Sequence, residues 1–87
     1  MLTREEVEQA IRYGDAVYDW GRNFKNKNVY DLYLTIGNCG YRMATYSLKT
    51  KRIILTCPLI HIPSNVALEN WIGYVKKKEK GDGETEN

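Results

Sequence analysis

Residues 29–36 read Val-Tyr-Asp-Leu-Tyr-Leu-Thr-Ile, and the turn-forming sequence Gly-Asn-Cys-Gly follows at 37–40. Large apolar side chains occupy every second position from Tyr30 to Ile36, which is the pattern of a strand with one buried face. Two further strands are predicted, over 41–48 and from 52 to about 57. Together these segments predict a three-stranded antiparallel meander.

The register of the meander is predicted by requiring that both hairpins bury the same face. A three-residue turn over 38–40 pairs Leu34 with Ala44, and a two-residue turn over 50–51 continues that buried face on the third strand. A two-residue first turn would instead set Met43 against Leu34. We therefore predict that Met43 points to the opposite face of the sheet.

The segment before the strands has the pattern of an amphipathic helix. Residues 3–6 form a T-x-x-E capping box, in which each side chain bonds a backbone N–H group of the first turn. Apolar residues then recur at helical spacing over 7–18, and Gly21 is a natural C-terminal stop. We therefore predict a helix over 4–20, with Gly14 in its interior.

A second helix is predicted after Ser64, whose hydroxyl group caps the first turn. Its buried stripe consists of Leu68, Trp71, Ile72 and Val75. The chain is therefore predicted to be a single two-layer α+β domain over residues 1–80, in the order α-β-β-β-α, with both helices on one face of the sheet. The acidic residues 81–87 are predicted to form a disordered tail.

This predicted order resembles that of the double-stranded-RNA-binding domain and of the small toxins built on it. The resemblance covers about residues 3–78 and is one of topology. That family has a lysine-rich signature at the start of its second helix, where this chain has Ser64-Asn65-Val66-Ala67, and the glycine-flanked strand histidine of the toxins is missing. The resemblance therefore implies a fold and no functional residue.

Length and composition are those of an ordinary folded domain. The 87 residues are 43% hydrophobic and 28% charged, which excludes a disordered or low-complexity chain. No apolar run approaches the ~20 residues that a membrane-spanning helix needs, and the acidic start of the chain is unlike a secretory signal. Two cysteines are too few for a disulfide scaffold, so we expect a cytoplasmic protein that does not associate with membranes.

The sequence carries no motif specific to a catalytic or cofactor site. His61 is the single histidine, and with two separated cysteines it matches no recognised zinc-ligand spacing. Extending the third strand brings His61 towards the turn that holds Cys39, which raises the hypothesis of a nucleophile and its base without a third, orienting group. We expect no enzymatic activity, no metal and no cofactor, and rank an enzyme acting through Cys39 last.

The leading functional hypothesis concerns the sheet face that the helices leave open. The predicted register places on it Asp31, Tyr33, Thr35, Tyr41, Met43, Thr45, Ser47, Ile54 and Thr56. We predict a non-enzymatic binding module that docks on another macromolecule, a protein, through Tyr33, Tyr41, Met43 and Ile54, since Tyr and Met are enriched in interfaces. Such a module acts by occupying a surface, as small inhibitors and adaptors of phages and mobile elements do, and the same face favours a homodimer.

Charges are segregated along the chain. Residues 1–20 have five acidic side chains against two basic ones, whereas residues 21–56 have seven basic side chains against Asp31. The first loop and the second hairpin are predicted to be neighbours and to bring together Arg22, Lys25, Lys27, Lys49, Lys51 and Arg52. The second hypothesis is that this cluster binds the phosphates of a nucleic acid.

A third hypothesis is a small nucleotide-like ligand at a subunit interface, with tyrosines stacked on the base and the basic loop on the phosphate. Phe24 is the single apolar side chain of that loop, and we expect it to anchor the loop to the domain.

Overall fold

The computed structural model describes residues 2–84, with side chains up to Glu79. The elements in chain order are α1 (Arg4–Arg12), β1 (Ala16–Arg22), β2 (Val29–Ile36), β3 (Cys39–Ser47), β4 (Ile53–Leu55) and α2 (Asn65–Glu84). The strands form one antiparallel sheet in the order β1-β2-β3-β4. The α+β class is confirmed, and the predicted meander gains a fourth strand at its beginning.

Helix α1 begins as predicted and ends much earlier. Thr3 and Glu6 form the capping box, with the Glu6 N–H donating to Thr3 Oγ1 at 3.2 Å. The helix ends at Arg12 because Gly14 adopts a φ of 78°, a left-handed conformation that favours glycine. The Asp15 N–H then reaches the Ala10 carbonyl at 2.8 Å, and the Gly14 N–H reaches the Ile11 carbonyl at 3.2 Å. These two bonds form a Schellman motif, so the predicted helix over 4–20 is wrong beyond its first nine residues.

The segment predicted as the second half of that helix is strand β1. Its side chains alternate in exposure, with Tyr18 and Trp20 partly buried against the sheet and Val17 and Asp19 exposed. Val17 and Tyr18 fit a helical stripe as well as a strand, so periodicity alone did not separate the two structures. Because this strand precedes the meander, the chain departs from the α-β-β-β-α order and from the topology of the double-stranded-RNA-binding domain.

The first hairpin of the meander has a shorter turn than predicted and contains a β-bulge. Ile36 pairs with Cys39 across a two-residue turn, in which Gly37 has a φ of 59°; glycine at this place is typical of a type II′ turn. Leu34 therefore pairs with Tyr41 rather than with Ala44. Met43 points into the core on the same side as Tyr41, and it is the extra residue of the bulge. The register shifts there by one residue, which brings Ala44 to the buried face as well.

The second hairpin buries the predicted face with a register that differs by two residues. Tyr46 pairs with Ile53, and Ala44 pairs with Leu55, whereas a two-residue turn over 50–51 would pair Tyr46 with Leu55. The connecting loop is longer than predicted and closes with a bond from the Lys51 N–H to the Ser47 carbonyl at 2.8 Å. A shift of two residues keeps every side chain on its face, so the polarity of the strand is as predicted.

Both helices pack on the same face of the sheet, as predicted, and form two adjacent hydrophobic clusters. The α2 cluster consists of Tyr30, Leu32, Ala44, Tyr46, Trp71 and Val75, and the α1 cluster of Val7, Leu34 and Met43. The predicted stripe of α2 is thus confirmed, as is its cap, because the Ala67 N–H donates to Ser64 Oγ at 3.2 Å. Neither α1 nor α2 combines the length and the apolar character that crossing a lipid bilayer requires.

The predicted disordered tail over 81–87 overlaps the last turn of α2. Residues 85–87 lie outside the described residues, so disorder of this segment stays a prediction.

Candidate binding surfaces

The open sheet face presents two of the four residues predicted for it. Ile54 is 62% exposed and pairs with Thr45 on the side of the sheet opposite the helices. Tyr33 lies on the same side between Asp19 of β1 and Arg42 of β3. With its charged and hydroxyl-bearing neighbours, this face is more polar than the sequence predicted.

The other two residues, Tyr41 and Met43, are on the helix side of the sheet, and their predicted placement is wrong. Met43 is fully buried in the α1 cluster, and Tyr41 packs against that cluster. The two-residue turn reverses the facing of both Tyr41 and Met43 relative to the prediction, and the bulge then returns Ala44 and Tyr46 to the buried face. The strongest apolar contribution to the proposed sheet-face interface is thereby removed.

Asp31 was also expected to be exposed on the open face and is instead 1% exposed. Its Oδ2 accepts hydrogen bonds from Asn23 Nδ2 at 2.9 Å and from the Tyr33 hydroxyl at 3.1 Å. Burial, and then the carboxylate of Asp31, raise the pKa of Tyr33 above its usual value. The Tyr33 hydroxyl is therefore committed to an internal bond, and the side chain offers a partner mainly the face of its ring.

Strand β1 forms a free edge of the sheet, with no partner strand on its outer side among residues 2–84. Just beyond its last pair, the Asn23 N–H donates to the Val29 carbonyl at 2.8 Å. Because backbone groups alternate in direction along an antiparallel strand, the N–H and C=O groups of Tyr18, Trp20 and Arg22 point to the free edge. The outward N–H of Trp20 bonds to Asp19 Oδ1 at 2.8 Å, a local contact of the kind that protects an edge strand.

A cleft of about 400 Å³ lies beside this edge, between β1 and the first half of α2. Its wall and floor are aromatic and apolar, and its polar residues are at the rim; the lining consists of Tyr18, Asp19, Trp20, Leu32, Ser64, Val66, Ala67, Asn70, Trp71 and Tyr74. Trp20 stacks on Tyr74 with ring centroids 6.3 Å apart. Trp71 is 2% exposed, and its Nε1–H has no hydrogen-bond partner among the described residues.

His61 lies against Tyr18 and not against Cys39. Its Nε2 and the Tyr18 hydroxyl are 2.6 Å apart. Burial lowers the pKa of His61 and raises that of Tyr18, so the pair favours a neutral imidazole and a neutral phenol. The structure thus gives His61 a packing partner in place of the hypothesised nucleophile. Among residues 2–79, whose side chains the structure describes, no three His, Cys, Asp or Glu side chains form a group that could hold a metal ion.

The basic loop and the basic hairpin are neighbours. The Leu48 N–H of the β3–β4 loop donates to the Asn28 carbonyl of the β1–β2 loop at 2.8 Å. This contact brings four lysines and an arginine of the predicted cluster to one end of the sheet: Lys25, Lys27, Lys49, Lys51 and Arg52. Arg22 differs from them, because its guanidinium bonds Glu79 Oε1 at 2.6 Å and the Tyr30 hydroxyl at 2.7 Å.

Sequence reasoning missed the β1 edge and its cleft because residues 16–22 were assigned to a helix. The signal available was the alternation of Ala16, Tyr18 and Trp20 with Val17 and Asp19, preceded by glycine at position 14. The hypotheses of a homodimer and of a ligand between subunits concern a second copy of the chain and stay predictions.

Comparison of the chain with known protein families, with curated proteins and with solved structures finds no match.

Proposed function

We propose that this protein is a non-enzymatic binding module that takes up an extended segment of another protein along the free edge of β1. The observation that carries the proposal is the aromatic cleft directly beside an unpaired strand edge. A bound segment adds a fifth strand to the sheet and inserts an apolar side chain between β1 and α2. Such strand addition derives affinity from main-chain hydrogen bonds and specificity from side-chain pockets.

The edge supplies the main-chain bonds. Tyr18, Trp20 and Arg22 direct their backbone groups away from the sheet, and the seven residues of β1 are within the usual length of a strand. One of these outward N–H groups, that of Trp20, already donates a hydrogen bond to the Asp19 carboxylate. A partner strand displaces this carboxylate, which is exposed and is therefore released to water at little cost.

The cleft supplies the side-chain pocket. Its volume of about 400 Å³ lies at the lower end of the range typical of ligand sites. Its floor is formed by Leu32 and Trp71, both 2% exposed, and Tyr74 at the rim is 60% exposed. Aliphatic or aromatic side chains of a partner fit this lining, since burying them against Trp and Tyr stabilises the complex by the hydrophobic effect.

A module of this kind acts by occupying a surface, as an inhibitor or an adaptor does. This proposal keeps the protein partner of the leading hypothesis and moves the principal contact from the open sheet face to the β1–α2 cleft. Two of the residues predicted for the open face, the partly exposed Tyr33 and the exposed Ile54, lie on the other side of the same sheet and extend the surface that a larger partner covers.

The experiment selects peptides from a random display library against the full chain and then measures the affinity of the selected peptides for the parent chain and for the variant Ala67→Trp. Ala67 lines the cleft from α2, so a tryptophan there fills the space that a partner side chain needs. Lys76→Trp, at an exposed position of α2 outside the cleft, is the matched control. Circular dichroism verifies that both variants are folded.

We expect selected peptides to bind the parent chain and Lys76→Trp equally and to lose at least tenfold in affinity for Ala67→Trp. In hydrogen exchange, the outward amides of Tyr18 and Trp20 gain protection on binding, whereas the Asp19 amide, already directed towards β2, changes little. Peptides that bind Ala67→Trp as well as the parent chain, or that leave the β1 amides unprotected, would overturn the proposal.

A further inference from the structure

Phe24 is 88% exposed at the end of the sheet opposite α1, which contradicts its expected role as an anchor of the loop. The loop is held instead by its asparagines. Asn23 Oδ1 accepts from the Lys25 N–H at 2.8 Å and from the Asn26 N–H at 3.0 Å. Asn26 Oδ1 accepts in turn from the Asn28 N–H at 3.0 Å. The backbone on both sides of Phe24 is therefore ordered by internal bonds, and the ring is displayed to solvent.

The surroundings of Phe24 are cationic. Lys25 Nζ lies 5.7 Å from the centroid of the Phe24 ring. Residues 22–29 and 47–52 contain no acidic side chain, and the contact between Asn28 and Leu48 holds these two segments together. Lys51 has a left-handed φ of 60°, a conformation that favours glycine, yet the position carries a lysine. The result is an exposed aromatic ring amid positive charge.

We infer that this end of the molecule binds single-stranded nucleic acid, with a base stacked on Phe24 and the phosphates held by Lys25, Lys27, Lys49, Lys51 and Arg52. Cations along a groove and an aromatic platform are the two components of sequence-tolerant single-strand binding. A duplex uses the cations but hides the faces of its bases, so Phe24 favours the single strand. The site shares no lining residue with the β1–α2 cleft, and it is therefore independent of the proposed function.

The test is a fluorescence-anisotropy titration with labelled 15-nucleotide oligo-dT and oligo-U, and with a duplex of equal length. Five phosphate contacts predict a slope of about −3.5 in the logarithm of the association constant against the logarithm of salt concentration. We expect Phe24→Ala to weaken single-strand binding about tenfold with the slope unchanged. Lys49→Glu combined with Lys51→Glu reduces both the affinity and the slope.

Two matched controls come from the opposite end of the domain. Tyr13 is also a highly exposed aromatic residue, at 72%, and Arg12 is an exposed cation in the last turn of α1. Tyr13→Ala and Arg12→Glu are expected to leave binding unchanged, and so is Ala67→Trp, which blocks the cleft. The oligonucleotide titration and the peptide selection therefore test the two proposals independently of each other.

The inference is overturned if no oligonucleotide binds at low salt, or if Phe24→Ala binds single strands as tightly as the parent chain. If duplex and single strand bind with equal affinity and Phe24→Ala changes neither, the patch attracts nucleic acid by charge alone, and the inference is likewise overturned. Sedimentation with vesicles containing 30% phosphatidylserine is the remaining arm, and Phe24-dependent binding to vesicles without binding to oligonucleotides identifies an anionic membrane surface instead.

Discussion

The backbone conformation of Gly14 determines where α1 ends and where β1 begins. With a φ of 78° this residue forms the C-terminal cap of α1 and lets the chain enter β1. A glycine inside a helix and a glycine that ends one look alike in the sequence, and here the apolar residues on both sides fitted a helical stripe. The two structures nevertheless predict opposite effects of the same substitution.

We expect Gly14→Ala to lower the free energy of unfolding by about 1 kcal/mol, because alanine is disfavoured in the left-handed conformation. Apart from Gly14 itself and its two chain neighbours, no described residue has a heavy atom within 4 Å of a Cβ placed at this position, so the cost is one of backbone conformation and not of a clash. Chemical denaturation followed by circular dichroism measures the change. In a helix over 4–20, alanine would instead raise the stability by about 1 kcal/mol.

Gly21→Ala is the matched control for this measurement. A methyl group added at Gly21 also meets open space, and the φ of this residue is not in the left-handed region. We expect this substitution to leave the stability unchanged or slightly higher. Equal destabilisation by both alanines would contradict the assignment of Gly14 as the cap.

Among the elements, the second half of α2 is joined to the sheet by a polar cluster. Glu79 of α2 accepts hydrogen bonds from the Tyr30 hydroxyl and from Arg22 Nη2, and Arg22 lies over the Tyr30 ring at 5.3 Å. The hydrogen bond from the Tyr30 hydroxyl, followed by the charge of Arg22, holds the pKa of Glu79 below its usual value. The ionised carboxylate is thus the form that the folded state favours.

This cluster predicts a pH dependence of stability. A carboxylate with a lowered pKa in the folded state contributes stability above its unfolded pKa of ~4.3, and that contribution is lost as the pH falls through the lower, folded pKa. We expect the difference in unfolding free energy between the parent chain and Glu79→Gln to shrink from pH 5 to pH 3. The side chain of Glu79 is 35% exposed, so solvent screening keeps the effect moderate.

Denaturation curves at several pH values measure this difference, and Glu69→Gln is the control on the same helix. Glu69 is exposed and lies outside the cluster of Arg22, Tyr30 and Glu79, so Glu69→Gln controls for the loss of one negative charge from α2. An offset for Glu79→Gln that does not vary with pH would show that the Glu79 carboxylate does not stabilise the attachment of α2.

Across the molecule as a whole, the two hydrophobic clusters differ in size. The α2 cluster contains two tyrosines and a tryptophan, whereas α1 contributes Val7 alone to the buried residues of its nine-residue helix. Tyr18 packs against both clusters and links them. The central strands β2 and β3 carry most of the buried side chains, so local stability is greatest there.

We therefore expect native-state hydrogen exchange to show that the amides of α1 open at a lower free energy than those of β2 and β3. Val7→Ala should increase the exchange of α1 amides more than that of the central strands, because α1 loses its one buried side chain. Mass spectrometry of exchanged peptides gives both rates. Uniform exchange of all elements at the global unfolding rate would contradict this division.

Features that depend on near neighbours in the chain could be predicted from the amino-acid sequence. The capping box of α1, the cap and buried stripe of α2, and the buried face of β2 follow from local hydrogen-bonding and from side-chain periodicity. All the residues that form one of these patterns lie within a few helical turns or within a single strand. The segregation of positive charge could also be predicted, since the basic residues lie close together in the sequence within 22–29 and within 47–52.

The other features required the tertiary structure, because the residues that determine them are distant in the chain. Residues 16–22 become a strand when they pair with β2. The bulge at Met43 forms because, after the two-residue turn, one extra residue is needed to keep the apolar side chains of β3 on the buried face. The β1–α2 cleft exists only where Trp20 meets Tyr74. Whether Phe24 is buried depends likewise on what lies beside its loop, and no pattern within the loop contains that information.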